Sequence, residues 1–314
     1  MSPEHSADRS VYVKTFSLLV PTCNRKESLR RLLESMGRME IPESVQVELI
    51  VVDNGSVDGT AELLAQEGIR PSNVSFSALT ERRQGKASAL NLGLARARGD
   101  FFLVLDDDVV IDPHLVVRHL DGYRSMPFDA LQGRILPGVD SEGQPADPLR
   151  LREYNIPLVD YGCDYCQIRG LTGTNMSFKR EVLTKVGCFD PRLGPGASGF
   201  SEDTEFSRRI RKAGFTIGYT PHAIVYHELD PRRYGREYNR MVEYRKGVSR
   251  SIYRRDSILF RVIPDLLGNC VRYGIYNLFG LRQKVYKTEG RIMKSWGYLS
   301  GKFRRPTAAI SDIG

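Results

Sequence analysis

Short apolar runs alternate with segments of helical spacing over the first third of the chain. Residues 16–20, 47–52 and 101–105 are almost wholly apolar and stop abruptly, which is typical of strands buried on both faces. Between them, apolar residues recur every three or four positions over residues 29–36 and 87–98, which predicts amphipathic helices. This alternation predicts right-handed βαβ units and a mostly parallel central sheet with helices on both faces.

The rest of the chain continues this pattern less regularly. Further strands are predicted near residues 74–79, 174–178, 215–219 and 223–226, and further helices over residues 60–66, 113–123, 180–186 and 202–213. Residues 187–200 are rich in Gly and Pro and predict a loop, and residues 138–166 are irregular. The predicted fold class is therefore α/β, and its ligands are expected beyond the carboxyl ends of the strands.

The distribution of charge divides the chain into an acidic body and a basic C-terminal part. Its 314 residues are 41% hydrophobic and 27% charged, which excludes a disordered polypeptide. Residues 232–314 contain 19 Lys and Arg against 6 Asp and Glu, whereas residues 1–231 contain 27 against 32. We therefore expect a flexible N-terminus over residues 1–14, an α/β body over 15–231 and a basic, aromatic, helical extension over 232–314.

The cysteines and the first residues of the chain indicate the cellular compartment that we expect for the protein. The five cysteines are odd in number and scattered, which favours a reducing compartment; Cys163 and Cys166 have zinc-knuckle spacing but no second pair. Residues 1–14 are polar and hold no signal-like apolar run, so we expect a cytoplasmic protein. The apolar stretch 257–280 is interrupted by Arg261, Asp265 and Arg272, which suits a membrane surface better than a bilayer span.

The strongest chemical signal is a group of carboxylates at strand ends. Asp53 follows the second predicted strand, and Asp106, Asp107 and Asp108 follow the fourth. Because adjacent like charges repel one another, three consecutive aspartates require a compensating cation. Carboxylate oxygens suit Mg²⁺ or Mn²⁺, especially when a substrate phosphate completes the coordination shell. The alternative is a solvated turn that caps the following element.

Two further candidates depend on this cluster. Glu202 and Asp203 begin a predicted helix after the Gly-rich loop, where acidic residues are common because they complement the helix dipole. Near a metal-held phosphate, a carboxylate there could instead take a proton from an incoming hydroxyl. His227 ends a predicted strand and is either a packed histidine or a second kind of metal ligand.

The order of several motifs resembles the inverting glycosyltransferases of family 2, which have the GT-A fold. The motifs are Val20-Pro-Thr-Cys-Asn-Arg25, Val51-Val-Asp-Asn-Gly-Ser56, Gly85-Lys-Ala-Ser-Ala-Leu-Asn91, Leu105-Asp-Asp-Asp108, Gly173-Thr-Asn-Met-Ser177, Glu202-Asp-Thr-Glu-Phe206 and Val225-Tyr-His227. Each motif alone is weak, but their succession over residues 16–227 is specific. The resemblance makes residues 15–231 a catalytic domain.

The resemblance also implies roles for these residues. Pro21, Thr22, Arg25, Asp53 and Lys86 would line the pocket of a nucleotide-sugar donor, with Asp53 bonding the base. Asp106 and Asp107 would face the ribose, while Asp108 and His227 would hold Mn²⁺ or Mg²⁺ on the donor diphosphate. Asp203 would be the general base, and Gly173 and Glu202 would lie on the acceptor side. UDP-sugars are the default donor.

The basic extension leaves three interpretations open. Its cations are interleaved with twelve aromatic residues, which suits the headgroup region of an anionic membrane. Attachment there would place the protein at the inner face of the cell membrane, close to a lipid-linked acceptor. A helical lid with solvated cations is the second interpretation. Nucleic-acid binding is the third, and we do not expect it because no recognition motif is present.

The predicted function is metal-dependent transfer of a single sugar to a glycan or lipid-linked acceptor. A Gln-x-x-Arg-Trp segment, which processive synthases of this family carry, is absent, and the single tryptophan is Trp296. An inactive nucleotide-sugar or glycan-binding protein on the same fold is the alternative. A nucleotidyltransferase is a third hypothesis, but a Gly-rich phosphate loop does not follow the first strand.

Overall fold

The first half of the sheet is parallel. A computed structural model describes residues 14–66, 71–140 and 157–303. Its first four long strands are β1 (Lys14–Thr22), β2 (Val45–Asp53), β3 (Ser75–Thr80) and β4 (Phe101–Leu105). They lie in the order β3-β2-β1-β4, and every neighbouring pair is parallel, so all four carboxyl ends meet at one edge.

The second half of the sheet is mixed. Its strands are β5 (Val109–Ile111), β6 (Ala130–Asp140), β7 (Cys166–Gln167), β8 (Asn175–Lys179) and β9 (Ile217–Leu229). Beyond β4 the order is β8-β6-β9-β5. β8 is antiparallel to both β4 and β6, whereas β6 and β9 are parallel. Therefore β4 and β9 run in the same direction and both end at the edge where β1 and β2 end.

Helices cover both faces of this sheet and form two apolar cores. One face carries α1 (Lys26–Met36), α2 (Thr60–Ala65) and α4 (Leu115–Ser125). The other carries α3 (Lys86–Arg96), α5 (Arg180–Val186) and α6 (Glu202–Lys212). The strands between them have apolar side chains on both faces, which explains why β1, β2 and β4 are continuous apolar runs.

The extension is helical, as predicted. A 3₁₀ turn (Pro231–Arg233) leads into α7 (Arg236–Tyr253), a π-helical turn (Ile258–Val262), α8 (Ile263–Leu278) and α9 (Arg282–Phe303). Hydrogen bonds tie α7 to the body, between Ser249 and Ser198 at 2.8 Å and from Arg208 to the Tyr253 carbonyl at 3.3 Å. None of the helices within the described ranges combines the length and apolar character that a bilayer crossing requires.

The structure adjusts several predicted boundaries. β1 begins at Lys14, whereas the rest of the predicted flexible N-terminus lies outside the described residues. Much of the irregular segment 138–166 also lies outside them. The two strands predicted around Pro221 are one strand, β9, and the sequence did not predict β5, β6 or the two-residue β7.

Candidate active site

The three consecutive aspartates follow β4 and turn their side chains in different directions. Asp106 accepts a hydrogen bond from Thr174 at 2.7 Å and forms an ion pair with Lys86. Asp107 accepts one from the Thr22 hydroxyl at 2.8 Å. Asp108 is buried and faces the end of β9, where His227 lies. Each carboxylate therefore has its own partners, which reduces the repulsion expected among the three.

Arginines surround Asp108. Its Oδ2 accepts hydrogen bonds from Arg25 Nη1 at 2.6 Å and from Arg233 Nη2 at 3.1 Å. Burial disfavours the charged carboxylate, but His227, Arg233 and Arg25 together hold the pKa of Asp108 below its usual range. In contrast, burial and the charge of the adjacent Asp108 outweigh Arg25 and raise the pKa of Asp107 to about 7.

A group with metal-ligand geometry is present here. Ligand atoms of Asp106, Asp108 and His227 lie within 4.8 Å of one another, and this is the one such trio in the described part of the chain. His227 Nδ1 is 2.7 Å from the Glu228 carbonyl oxygen, so this nitrogen carries the proton and donates. His227 Nε2 is buried and has no hydrogen-bond partner, although Asp108 Oδ1 is 3.4 Å away.

This donor set fits a divalent cation. Two carboxylate oxygens and one imidazole nitrogen are ligands that Mn²⁺ accepts, and Mg²⁺ is satisfied by the carboxylates and a substrate phosphate. The strongest support for a cation here is the unpartnered His227 Nε2, because a buried polar atom without a partner costs folding free energy unless a ligand binds it. The hydrogen bond to Glu228 also fixes the ring orientation, as is usual for metal-binding histidines.

Lys86 links the aspartate cluster to the start of α6. Its ammonium contacts Asp106 and lies 3.7 Å from Glu202. Burial disfavours the ammonium, yet Asp106 and Glu202 hold the pKa of Lys86 above its usual range. Burial and the charge of the adjacent Asp203 outweigh Lys86 and together raise the pKa of Glu202 to about 7.

Asp203 is the more accessible carboxylate of this pair. The Gly173 amide donates to its Oδ2 at 3.3 Å, and the Thr204 amide donates to its Oδ1 at 2.5 Å. Asp203 is only partly buried, at the N-terminal end of α6. Gly173 also adjoins Lys86, since a β-carbon on Gly173 would lie 3.1 Å from Lys86 Nζ. The predicted acceptor-side residues are therefore neighbours of the aspartate cluster.

The predicted nucleotide pocket lies at the ends of β1 and β2. Thr22 pairs with Asp53 in the parallel ladder, one position after Pro21, and both polar side chains are buried. Asp53 Oδ1 accepts a hydrogen bond from the Ser56 amide at 3.0 Å, which holds the carboxylate beside the turn. Asn54 Oδ1 accepts a hydrogen bond from the Gly85 amide at 2.7 Å. This bond fixes the start of α3, which carries Lys86.

Sequence reasoning missed two contributors to this site. Thr174 lies inside a quoted motif but received no role, although its hydroxyl holds Asp106. Arg233 belongs to the segment after β9 and contacts Asp108, so the basic extension contributes to the site directly. The sequence does place Arg232 and Arg233 a few residues after the candidate ligand His227, which could have indicated a contact with the site.

A family model and curated relatives match this chain. The model described as Glycosyl transferase family 2 matches residues 17–187. A poly-beta-1,6-N-acetyl-D-glucosamine synthase of Staphylococcus epidermidis is 26% identical over 242 residues, covering 75% of this chain and 55% of that protein. An undecaprenyl-phosphate 4-deoxy-4-formamido-L-arabinose transferase of Photorhabdus laumondii is 35% identical over 106 residues, about a third of each chain. The chain spans about half the length of the first of these relatives.

Solved structures resemble it over nearly its whole length. The mannosyltransferase PcManGT from Pyrobaculum calidifontis, in complex with GDP-Man and Mn²⁺, has a TM-score of 0.61 at 16% identity and covers 93% of this chain and 87% of that one. S. aureus TarS 1-349 in complex with UDP-GlcNAc has a TM-score of 0.54 at 16% identity and covers 93% of each chain. At these identities the likeness establishes the fold.

Proposed function

The chain belongs to glycosyl transferase family 2 and has the GT-A fold, and we propose that it transfers one sugar from a nucleotide diphosphate donor to an acceptor hydroxyl. The observation that carries the proposal is the buried, unpartnered His227 Nε2 beside Asp106 and Asp108. Such a donor set, with arginines next to it, suits a diphosphate held on a divalent cation.

The proposed metal is Mn²⁺ or Mg²⁺, held by Asp106, Asp108 and His227. When bound, it offsets the negative charge that develops on the departing nucleoside diphosphate. Arg25 and Arg233 already converge on Asp108 and could donate hydrogen bonds to the same phosphate oxygens. PcManGT, which shares the fold, was solved with GDP-Man and Mn²⁺, which supports this choice of ion.

The donor base is proposed to bind at the ends of β1 and β2. Asp53 presents a buried carboxylate that could accept from a base N–H, while Pro21 and Thr22 form the neighbouring wall. Asp107 lies between this wall and Arg25, where it could bond the ribose. A UDP-sugar is our default donor; UDP-GlcNAc and GDP-Man are the nucleotide sugars bound in the two structures compared above.

Asp203 is proposed as the general base. It is partly exposed, as an incoming acceptor requires, and the Gly173 amide orients it. In this arrangement the carboxylate takes the hydroxyl proton while the acceptor oxygen attacks the anomeric carbon. The sugar–phosphate bond breaks on the opposite side, so a single displacement inverts the configuration. Glu202 and Lys86 lie on the acceptor side and keep Asp106 in place.

The acceptor is proposed to be a cell-envelope glycan or a lipid-linked molecule. Relatives of this chain are named for making poly-beta-1,6-N-acetyl-D-glucosamine and for acting on an undecaprenyl phosphate. A lipid-linked acceptor requires the enzyme at a membrane, and the basic extension supplies the charge for peripheral attachment to an anionic surface. Attachment at the inner face of the cell membrane fits a cytoplasmic enzyme with free cysteines.

A donor screen tests the proposal. The purified protein is incubated with Mn²⁺ or Mg²⁺ and a panel of nucleotide sugars, with and without a membrane-lipid extract, and free nucleoside diphosphate is measured. We expect metal-dependent release from one donor. Asp108→Asn should lower that rate on the order of 100-fold or more, and Asp203→Asn by a similar factor while donor binding persists.

The surface substitution Asp121→Asn on α4 is the matched control, because it removes a carboxylate far from the aspartate cluster. Metal-dependent nucleotide binding without turnover, across all donors and acceptors, would favour the inactive binding protein. Wild-type turnover in Asp203→Asn would overturn the base assignment. Release of pyrophosphate from a nucleoside triphosphate and a sugar phosphate would instead indicate a nucleotidyltransferase.

A further inference from the structure

A basic cavity of about 270 Å³ lies among the three helices of the extension. Its cationic lining comes from every element around it: Arg250 of α7, Arg261 of the π-helical turn, Arg272 of α8, and Arg291 and Lys294 of α9. A single carboxylate, Asp265, lines the same cavity. Cations from four separate segments thus converge on one space.

Local acidic residues neutralise only part of this charge. Arg250 and Arg261 share one partner, Asp256, at 2.7 and 3.1 Å. Within the described ranges, neither Arg272 nor Arg291 forms an ion pair. Two guanidinium groups of the cavity therefore remain available to an anion.

Two groups in the cavity wall, the partly exposed Lys294 and the buried Asn269, lack good partners. Lys294 lies 3.9 Å from Glu243, which Lys246 holds more closely at 2.7 Å. Burial lowers the pKa of Lys294, and the charges of Lys246 and Arg250 lower it further. Asn269 is buried, and its Oδ1 has no hydrogen-bond partner in the described structure. An anion that carries a hydroxyl would satisfy both groups, since it supplies negative charge and a donor.

An exposed apolar stripe runs along the neighbouring face of α8. Leu267, Val271, Ile275 and Leu278 are spaced by four, four and three residues, so they share one face of the helix. Between 46% and 82% of each side chain is exposed, and Phe260 in the preceding turn is 84% exposed. Asn269 and Arg272 lie on another face of α8, toward the cavity. The helix therefore separates an apolar surface from a cationic space.

We propose that this cavity binds the phosphate group of an anionic lipid while the apolar stripe of α8 lies at the headgroup–acyl boundary. Arginine and lysine are the side chains that recognise phosphate oxygens, and the cavity offers five of them. The stripe selects a lipid over free phosphate, because a soluble anion would leave it in water. This inference rests on the proposed membrane attachment and requires nothing of the sugar transfer.

The cavity also adjoins the catalytic body. Asp256, which pairs with Arg250 and Arg261, lines a second basic cavity together with Arg208 of α6 and Arg255. α6 begins with Glu202 and Asp203. Asp256 therefore links the cavity between α7, α8 and α9 to one that the helix of the proposed base lines.

Vesicle co-sedimentation of the full chain tests the cavity. Vesicles of phosphatidylcholine, with and without phosphatidylglycerol, are titrated with the wild-type protein and with the double substitution Arg272→Gln/Arg291→Gln. The matched control is Arg282→Gln/Lys287→Gln, which removes the same charge from exposed positions of α9 outside the cavity. We expect binding that requires phosphatidylglycerol, and a loss of about tenfold in affinity for the cavity variant against less than about threefold for the control.

A second variant separates lipid from free phosphate. Leu267→Gln/Leu278→Gln removes exposed apolar side chains, so the fold should persist, and we expect it to lose vesicle binding while inorganic phosphate still binds. Equal losses from the cavity and control variants would overturn the cavity and leave diffuse attachment. Full vesicle binding by the leucine variant would overturn the role of the stripe. If no vesicle binds, membrane attachment fails as well, whereas the donor screen reports on transfer separately.

Discussion

Two buried histidines differ in the hydrogen bonds of their ring nitrogens. His119 on α4 has both nitrogens satisfied, by Asn175 Oδ1 and by the Ser177 hydroxyl, each at 2.9 Å. The amide of Asn175 donates to the carbonyls of Arg134 and Ala223, so its Oδ1 must accept from His119 Nε2. His119 is therefore a neutral, fully bonded core residue.

His227 has the opposite arrangement, because one of its ring nitrogens has no hydrogen-bond partner. Its Nδ1–H donates to the Glu228 carbonyl, and its buried Nε2 faces Asp108 without a hydrogen bond. Both histidines lie in segments that mix apolar and charged residues, so the sequence pattern alone could not separate a packed histidine from a ligand. The difference appears only in the folded chain, where Asn175 and Ser177 satisfy both nitrogens of His119 and no group bonds His227 Nε2.

The first prediction concerns the pH dependence of stability through His119. Burial lowers its pKa to about 4, below the value of 6.5 for an exposed histidine. Between these two values the unfolded chain binds a proton at His119 and the folded chain does not. The free energy of unfolding therefore decreases as the pH falls from about 7 toward 4. Between pH 7.5 and 5 this histidine should account for about 2 kcal/mol of the loss.

Urea unfolding at both pH values measures this difference. His119→Gln should be less stable than the wild type at pH 7.5 but lose about 2 kcal/mol less on acidification. His222→Gln, which replaces an exposed histidine on β9, is the control and should keep the wild-type slope. An unchanged slope in His119→Gln would show that folding does not shift the pKa of His119.

At the scale of elements, the sequence predicts the parallel half of the sheet well. The strands predicted at residues 16–20, 47–52 and 101–105 lie within β1, β2 and β4, and the helix predicted over 180–186 has those bounds. These elements are buried on both faces or amphipathic, so their apolar pattern follows from local burial alone. The candidate site follows in part, because parallel strands bring their carboxyl ends to one edge.

The mixed half of the sheet is not predictable in the same way. β6 contains Gly133, Pro137 and Gly138, residues that ordinarily argue against a strand. It forms because β8 and β9 pair with it on both sides, and its register shifts between Gly133 and Arg134, opposite the Pro221 segment of β9. The irregularity accommodates Pro221, which divided β9 into two predicted strands. Long-range pairing decides this region.

Close backbone approach holds α7 against α9. A β-carbon on Gly297 would overlap the Tyr244 carbonyl oxygen, and one on Gly247 would overlap the Lys294 carbonyl oxygen. Substitution there forces the helix backbones apart, because neither contact is with a flexible side chain. A β-carbon on Gly274 of α8 would have no atom within 4 Å, so Gly274 lies on an open face of that helix.

The second prediction compares substitutions of Gly297 and Gly274. Gly297→Ala should destabilise the extension by about 1–3 kcal/mol, since the backbones must separate. Gly274→Ala should stabilise it by about 0.5–1 kcal/mol through helix propensity. Thermal unfolding followed by circular dichroism measures both. Equal effects of the two substitutions would contradict the close crossing of α7 and α9.

At the scale of the whole molecule, the aspartate site joins segments that are far apart in sequence. Asp108 is bonded by Arg25, 83 residues before it, and by Arg233, 125 residues after it. The first of these arginines follows β1, and the second belongs to the basic extension. The cluster thus connects the start of the body to the extension, and a ligand bound there should stabilise the entire chain.

The third prediction measures this linkage. A ligand that binds only the folded state, at about 100 times its dissociation constant, adds about 2.7 kcal/mol of stability. For a chain of this length that raises the melting temperature on the order of 5 °C. Mn²⁺ together with a nucleoside diphosphate should give this shift, and either alone should give less, because the diphosphate completes the coordination shell.

Substitutions at the site separate metal-dependent binding from a general effect of ions. His227→Gln removes the unpartnered nitrogen, and Asp108→Asn removes a carboxylate that Arg25 and Arg233 hold, so both should abolish the joint shift. His222→Gln on the same strand should retain it. A shift that survives in His227→Gln would place the cation elsewhere, whereas its loss in both site variants would show that the metal and the diphosphate bind together at Asp108 and His227.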